Sequence, residues 1–466
     1  MERIFKQAEE RTKDEVNLDE WRLQYHLMPL VGWLNDPNGL CEFNGTYHIF
    51  YQYSPTSAEG KEKGWGHFTT KDFLTFKREE NALFPDSDID KDGAYSGSAY
   101  IRDNQIYFFY TGNIKFKGNF DYINEGRGHY LNGFTSKDGI HFGKKYNILK
   151  NESYPDDLSC HVRDPKIYEE DGVFYMVLGA RTKNSVGCAL IYESLDLKEW
   201  NYKSRIETKQ PFGYMWECPD LFEIGTKKIL MVCPQGLKKR GYQYENIYQS
   251  GYFFIKGNIK DNLMVYNFTE LDYGFDFYAP QTFVDKSGRR IMISWMGLPD
   301  IPYKNPTVSK GWQHALTLPR VLFLKDDSLY QYPIEETKKL RKNHVHRILA
   351  IDEVISTLSK VYEAQLMPLN DNFKIRLRKD VTLNYYNHIL TLSLKESGYG
   401  RNERHVEINK IEQINIFSDT SSLEIFINNG QKALTTRVYD DENDTSLQVD
   451  SQMILDLYEL NKYKIV

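Results

Sequence analysis

The sequence predicts an all-β protein, a five-bladed β-propeller followed by a C-terminal β-sandwich. Five times over the first two thirds of the chain, at intervals near sixty residues, a turn opens an aromatic-rich apolar run, with a polar motif ten to thirteen residues upstream. Beyond residue 345 the pattern changes to short alternating segments. Long repeats built of hairpins supply one blade each around a common axis. Short, evenly spaced strands are instead the mark of a sandwich.

Residues 1–20 read as a polar leader of helical character, and the sheet pattern begins near Tyr25. The propeller is expected over 21–330. Its turns and runs are Asn44-Gly45 into Tyr47–Gln52, Asp103-Asn104 into Ile106–Tyr110, Asp171-Gly172 into Phe174–Leu178, Gly225-Thr226 into Ile229–Cys233, and Ser287-Gly288 into Ile291–Trp295. The upstream motifs begin at Asp36, Ser96, Asp164, Glu217 and Tyr278. Matching positions of a propeller converge, so Asp36, Asp164 and Glu217 are expected at one mouth of a central funnel. Over 331–344, the Glu-to-Lys/Arg spacing of Pro333–Arg341 predicts a solvated linker helix. The sandwich is expected over 345–466, with Phe373–Leu377, Ile389–Ser393 and Leu423–Ile427 as strands and Asn428-Asn429-Gly430 as a hairpin turn. Its charges are dispersed, which points to a packing role.

Composition narrows the function. A net charge of −6 excludes a basic nucleic-acid surface and gives no anionic-membrane patch. Aromatics reach 14%, which suits sheets and also suits sugar rings, whose apolar faces stack on aromatic ones. The cysteines at 41, 160, 188, 218 and 233 are odd in number and lack metal-ligand spacing, so a reducing compartment is expected rather than a disulfide framework. The start of the chain is charged throughout and reads as neither signal peptide nor anchor. No apolar run reaches the ~18 residues of a membrane span. A cytoplasmic protein without a membrane or nucleic-acid partner is expected; oligomeric state is not readable.

Three motifs carry chemistry. Trp33-Leu-Asn-Asp-Pro-Asn-Gly39 runs into the first repeat, where Asn35 can donate to its neighbouring carboxylate or to a sugar hydroxyl. Arg163-Asp164-Pro165 opens the third repeat, and a guanidinium beside Asp164 favours its ionised form. Trp216-Glu217-Cys218-Pro219-Asp220 opens the fourth, where apolar neighbours raise a carboxyl pKa as a general acid needs. Two or three carboxyl groups around one pocket are the equipment for glycosidic cleavage.

In order and spacing these motifs resemble the signatures of glycoside hydrolase family 32, the invertases and β-fructosidases. Tyr95-Ser-Gly-Ser98, Asp276–Gln281, Trp295, Gly311–Arg320 and Ser421–Phe426 extend the resemblance over nearly the whole chain. It implies a retaining β-fructofuranosidase with Asp36 as nucleophile, Glu217 as acid/base and Asp164 as transition-state stabiliser. It also implies Asn35, Gln52, Trp65, Ser96 and Arg163 as substrate-binding residues, with Tyr278 and Trp295 walling the pocket. A retaining pair is expected ~5–5.5 Å apart. No metal or organic cofactor is implied, and His26, His67 and His314 stand in unrelated contexts. Some members carry a Trp in the loop after the Gln-Tyr run, whereas Ser54–Gly60 has none.

Tyr25–Trp33 and Tyr214–Asp220 are most similar to the family branch that hydrolyses sucrose 6-phosphate, so that sugar, sucrose and short fructosides are the expected substrates. Lys61, Lys63, Arg127, His129, Arg181 and Lys238 are the cations available to a phosphate. A cytoplasmic invertase or fructo-oligosaccharide β-fructosidase remains the alternative within the family. An inverting arabinanase-like enzyme and a non-catalytic sugar-binding propeller remain outside it.

Overall fold

The computed structural model describes residues 1–357, 359–440 and 444–466. Its regular secondary structure is nearly all strand. The helix Glu2–Asn17 is mostly polar and is pinned at two points: Phe5 packs against Tyr53 and Phe84, and Val16 joins Val31 and Trp312.

Up to residue 333 the strands form five sheets whose members follow one another in sequence, except where short strands from elsewhere in the chain attach. The first strands of the five are Gly32–Phe43, Ala94–Arg102, Leu158–Glu170, Met215–Ile224 and Tyr278–Val284. Each neighbours the next, and the fifth returns against the first. The hairpin turns explain the tight first-to-second connections. Asn44-Gly45, Asp103-Asn104 and Asp171-Gly172 all have positive φ at both residues, the two-residue turn whose twist matches that of paired strands. Large aromatics fill the space between sheets, such as Phe50, Trp65, Phe108, Tyr110 and Phe134 between the first and second. Two distant segments attach to the first sheet: Trp312-Gln313 runs parallel to Gly32-Trp33, and Lys464-Ile465 runs parallel to Thr75-Phe76.

The linker helix expected over 331–344 is not formed. Ser328–Pro333 is the last strand of the fifth sheet, Glu335–Leu340 is a short 3-10 helix, and the strand Arg341–Leu349 follows. The charge spacing misled because residues three apart also eclipse in a 3-10 turn, and Lys338 indeed meets Glu335 at 2.7 Å. Arg341 then leaves the turn to pair with Glu363 through two bonds of 2.7 Å.

The remaining strands make two six-stranded sheets that share one apolar core, with Leu366, Ile416 and Leu455 from one and Ile375, Leu383 and Leu392 from the other. A buried polar network joins this part to the five sheets. His26 meets Asp419 at 2.7 Å and Glu424 at 2.9 Å. Arg320 bridges Glu424 and Asp272, and Arg401 grips Asp276 with two bonds of 2.7 Å. Burial alone would strip the proton from His26, but its two carboxylate partners outweigh burial and raise its pKa to about 9. Among the described residues no helix is long and apolar enough to cross a membrane.

Candidate active site

The site is built on an irregularity that all five first strands share. From Leu34 to Pro37, Ala94 to Gly97, Arg163 to Lys166, Glu217 to Asp220 and Tyr278 to Gln281, the strand advances three residues while its partner advances two. In the third, fourth and fifth sheets the bulge holds Asp164-Pro165, Cys218-Pro219 and Ala279-Pro280, and the residue before proline has φ of 64°, 47° and 48°. Proline has no N–H to offer a ladder and so belongs at a bulge. A non-glycine residue held at such φ costs about 1–3 kcal/mol, a strain typical of functional sites. The bulges also set the levels of the site. Arg163, Glu217 and Tyr278 stand in equivalent places, and Asp164 and Cys218 come one residue further along. Asp164 and Glu217, which the repeat pattern treats as matching, are one residue out of step; the counterpart of Glu217 is Arg163.

Asp36, Asp164 and Glu217 are brought together. The Ser96 hydroxyl and the Asn35 amide (2.9 Å) donate to Asp36. Asn35 also donates to Gln52 at 3.0 Å, Gln52 donates to Ser96, and the Trp33 indole fixes Asn35 at 2.6 Å. Asp164 accepts from the Cys218 N–H at 2.9 Å, while its own N–H donates to Thr111 at 3.0 Å. The Cys218 thiol lies 3.8 Å from Asp36 and 3.7 Å from Asp164, between the two carboxylates. Glu217 accepts from Arg163, from Gln235 at 2.8 Å and from the Tyr278 hydroxyl at 2.6 Å. Trp295 lies opposite Tyr278 in the ladder, its ring 5.7 Å from that of Trp33. Lys63 adds a cation, 5.4 Å from the Trp33 ring and 5.9 Å from that of Tyr95.

Residues 26–333 match the Glycosyl hydrolases family 32 N-terminal domain and residues 359–455 match the Glycosyl hydrolases family 32 C terminal. The chain belongs to glycosyl hydrolase family 32. Among its family 32 relatives, a sucrose-6-phosphate hydrolase of Bacillus subtilis is 40% identical over 92% of this chain and 91% of its own length. A solved sucrose-6-phosphate hydrolase of Lactobacillus gasseri superposes with a TM-score of 0.90 at 32% identity, covering 98% of this chain and 96% of its own. A Bombyx mori β-fructofuranosidase variant, solved in complex with sucrose, does so with a TM-score of 0.88 at 28% identity, over 100% of this chain and 99% of its own.

The electrostatics of this family 32 pocket follow from three carboxyl groups sharing it. Burial raises the Asp36 pKa, as does the charge of Glu217, while Ser96, Asn35 and Lys63 oppose the rise. Burial likewise raises Asp164, against the pull of Arg163 and with Glu217 and Asp36 adding to it, to about 7. With only the chain's own groups present, Asp164 therefore carries a proton for part of the time near neutral pH. Among the described residues no cluster of three His, Cys, Asp or Glu side chains is arranged for a metal.

Nine of the ten residues singled out from the sequence lie together in this constellation, and Trp65 does not. It is fully buried among Phe50, Phe108 and Phe134, and its indole donates to the Tyr95 carbonyl at 3.0 Å. The ring is walled by core aromatics, so it fixes the backbone beside Ser96 instead of touching a sugar. Gln235 and Thr111 were not foreseen. Gln235 had a signal, because it is the polar residue that ends the apolar second strand of its sheet. Thr111 sits in an apolar run and had none.

Proposed function

We propose that the protein hydrolyses the β-fructofuranosidic bond of sucrose 6-phosphate, and of sucrose less well, with retention of configuration. The observation that carries this reading is the convergence of Asp36 and Glu217 on one pocket from different sheets, each held by its own set of donors. The family membership supports the reaction, and the relatives' names support the phosphorylated substrate. The architecture we infer is a five-bladed propeller over 21–330 preceded by the leader 1–20, followed by a sandwich over 345–466; the return of the fifth first strand to the first supports it. A cytoplasmic location belongs to the same reading.

In the first step Glu217 gives its proton to the glycosidic oxygen. The bond from that oxygen to the fructosyl anomeric carbon breaks with its electron pair leaving on the glucose unit, and an Asp36 oxygen bonds to the carbon from the other side. In the second step water adds to that carbon, Glu217 takes the water proton, and the Asp36 ester breaks. Asp36 must be ionised to attack, which is the office of Ser96, Asn35 and Lys63. Asp164 accepts hydrogen bonds from fructosyl hydroxyls. Donation to the ionised carboxylate lowers its proton affinity, so sugar binding favours the ionised form of Asp164.

Two measurements test this. Mass spectrometry of enzyme quenched during turnover finds a fructosyl adduct on the peptide containing Asp36. Steady-state kinetics give a higher kcat/KM on sucrose 6-phosphate than on sucrose. First-formed fructose of inverted configuration, or a preference for free sucrose, removes the corresponding half of the reading.

A further inference from the structure

The strand Leu158–Glu170 carries His161 as well as Arg163 and Asp164. His161 lies two residues before Arg163 on the same strand face, about 6–7 Å away. Arg163 is bonded to Glu217, the group that protonates the leaving oxygen, so the space beyond it is on the leaving-group side. Arg163 donates to His161 at 2.7 Å, Arg127 lies against His129, whose ring is 5.4 Å from that of His161, and Arg181 follows Ala180, which pairs with Val162; the charges of all three act on His161. Arg163 has Glu217 as its partner. Among the described residues Arg127 and Arg181 have no carboxylate ion pair. Arg127 reaches only His129, at 3.5 Å, and Arg181 only the Ser185 hydroxyl, at 2.9 Å, and the face of Tyr214, at 4.7 Å. The Nε of each is buried without a partner.

We propose that Arg127 and Arg181, on either side of His161, seat the phosphate of the leaving hexose. This deepens the sucrose 6-phosphate reading and rests on it. A guanidinium fork suits phosphate oxygens better than an ammonium does, and both side chains are partly exposed. The seat is also built in advance. The Tyr214 hydroxyl bonds that of Tyr248 at 3.3 Å, and Tyr248 in turn holds Asp300 at 2.8 Å, so the ring beneath Arg181 is fixed. His161 donates from Nε2 to the Tyr122 carbonyl at 3.1 Å and accepts from Arg163 at Nδ1. Burial first, and then the surrounding guanidiniums, push its pKa down to about 3, so it is a neutral spacer between the two cations. Of the nearby acids, Asp121 accepts from the backbone of its own turn, Asp157 holds Arg205 with two bonds of 2.7 Å, and Glu125 is an exposed side chain. Of the other cations, Lys61 and Lys238 are exposed side chains, His129 is fully buried, and Lys63 faces the carboxylates.

The test is kcat/KM on sucrose 6-phosphate and on sucrose for the wild type and for Arg127→Gln, Arg181→Gln and their Lys counterparts. Inhibition by glucose 6-phosphate and by glucose is measured alongside. Each Gln variant is expected to lose about tenfold or more on the phosphorylated sugar, and to bind glucose 6-phosphate correspondingly more weakly. Its efficiency on sucrose should stay within about twofold, which also reports an intact fold, and Lys should restore part of the loss. Gln variants that keep the wild-type preference overturn the phosphate seat and leave the function standing. Equal losses on both sugars overturn it as well. A wild type without preference for the phosphorylated sugar overturns the substrate reading, and the seat with it.

Discussion

Glu217 is held by three donors at once, and each is a lever on its chemistry. The Tyr278 hydroxyl donates to the carboxylate at 2.6 Å, so Tyr278→Phe removes one hydrogen bond to a charged group. The kcat/KM of that variant should fall by roughly tenfold, the scale of one such bond. An unchanged kcat/KM would assign Tyr278 to packing alone. Glu217→Gln should abolish the basic limb and slow sucrose 6-phosphate by at least about 100-fold, with a smaller loss on activated aryl fructosides, whose leaving groups need no proton. Rates measured across a leaving-group series check it. These residues were legible because Trp33–Gly39, Arg163–Pro165 and Trp216–Asp220 are contiguous motifs. The assignment of Trp65 failed because a sequence shows which residue is aromatic and not which side of a strand faces the core.

At the scale of elements, the aromatic layer between the first and second sheets supports the pocket from behind. Trp65→Phe removes the bond to the Tyr95 carbonyl and leaves a void, and should cost about 1–3 kcal/mol of stability. Denaturant unfolding read beside kinetics separates the two roles: a stability loss with KM unchanged fits a supporting residue, whereas a raised KM at unchanged stability fits a sugar contact. The hairpins were readable from Asn-Gly and Asp-Gly turns and alternating runs. Two features were hidden. The one-residue bulges that set Glu217 level with Arg163 depend on pairing across strands, and the 3-10 helix Glu335–Leu340 shares its charge spacing with an α-helix.

For the molecule as a whole, the buried network around His26 ties stability to pH. The His26 pKa is raised from 6.5 to about 9 in the folded protein, so its contribution is complete below about pH 6.5 and is lost as pH rises through 9. Asp419 and Glu424 are shifted the other way, their partners outweighing burial, so their contribution is lost in acid. Unfolding free energy should fall by about 3 kcal/mol between pH 6.5 and pH 9.5, and the slope should flatten in His26→Asn. That variant should itself be less stable at pH 6.5 by about 3–5 kcal/mol, since it strands Asp419 in the interior. The same network governs how such a protein can be recombined. Asp272, Asp276 and Arg320 come from one half of the chain, and Arg401, Asp419 and Glu424 from the other. A crossover that exchanges one half for a homologue's must bring matching charges with it, or it inherits naked ions where water cannot reach. The C-terminal half is therefore not a detachable accessory, and the two halves should be inherited together.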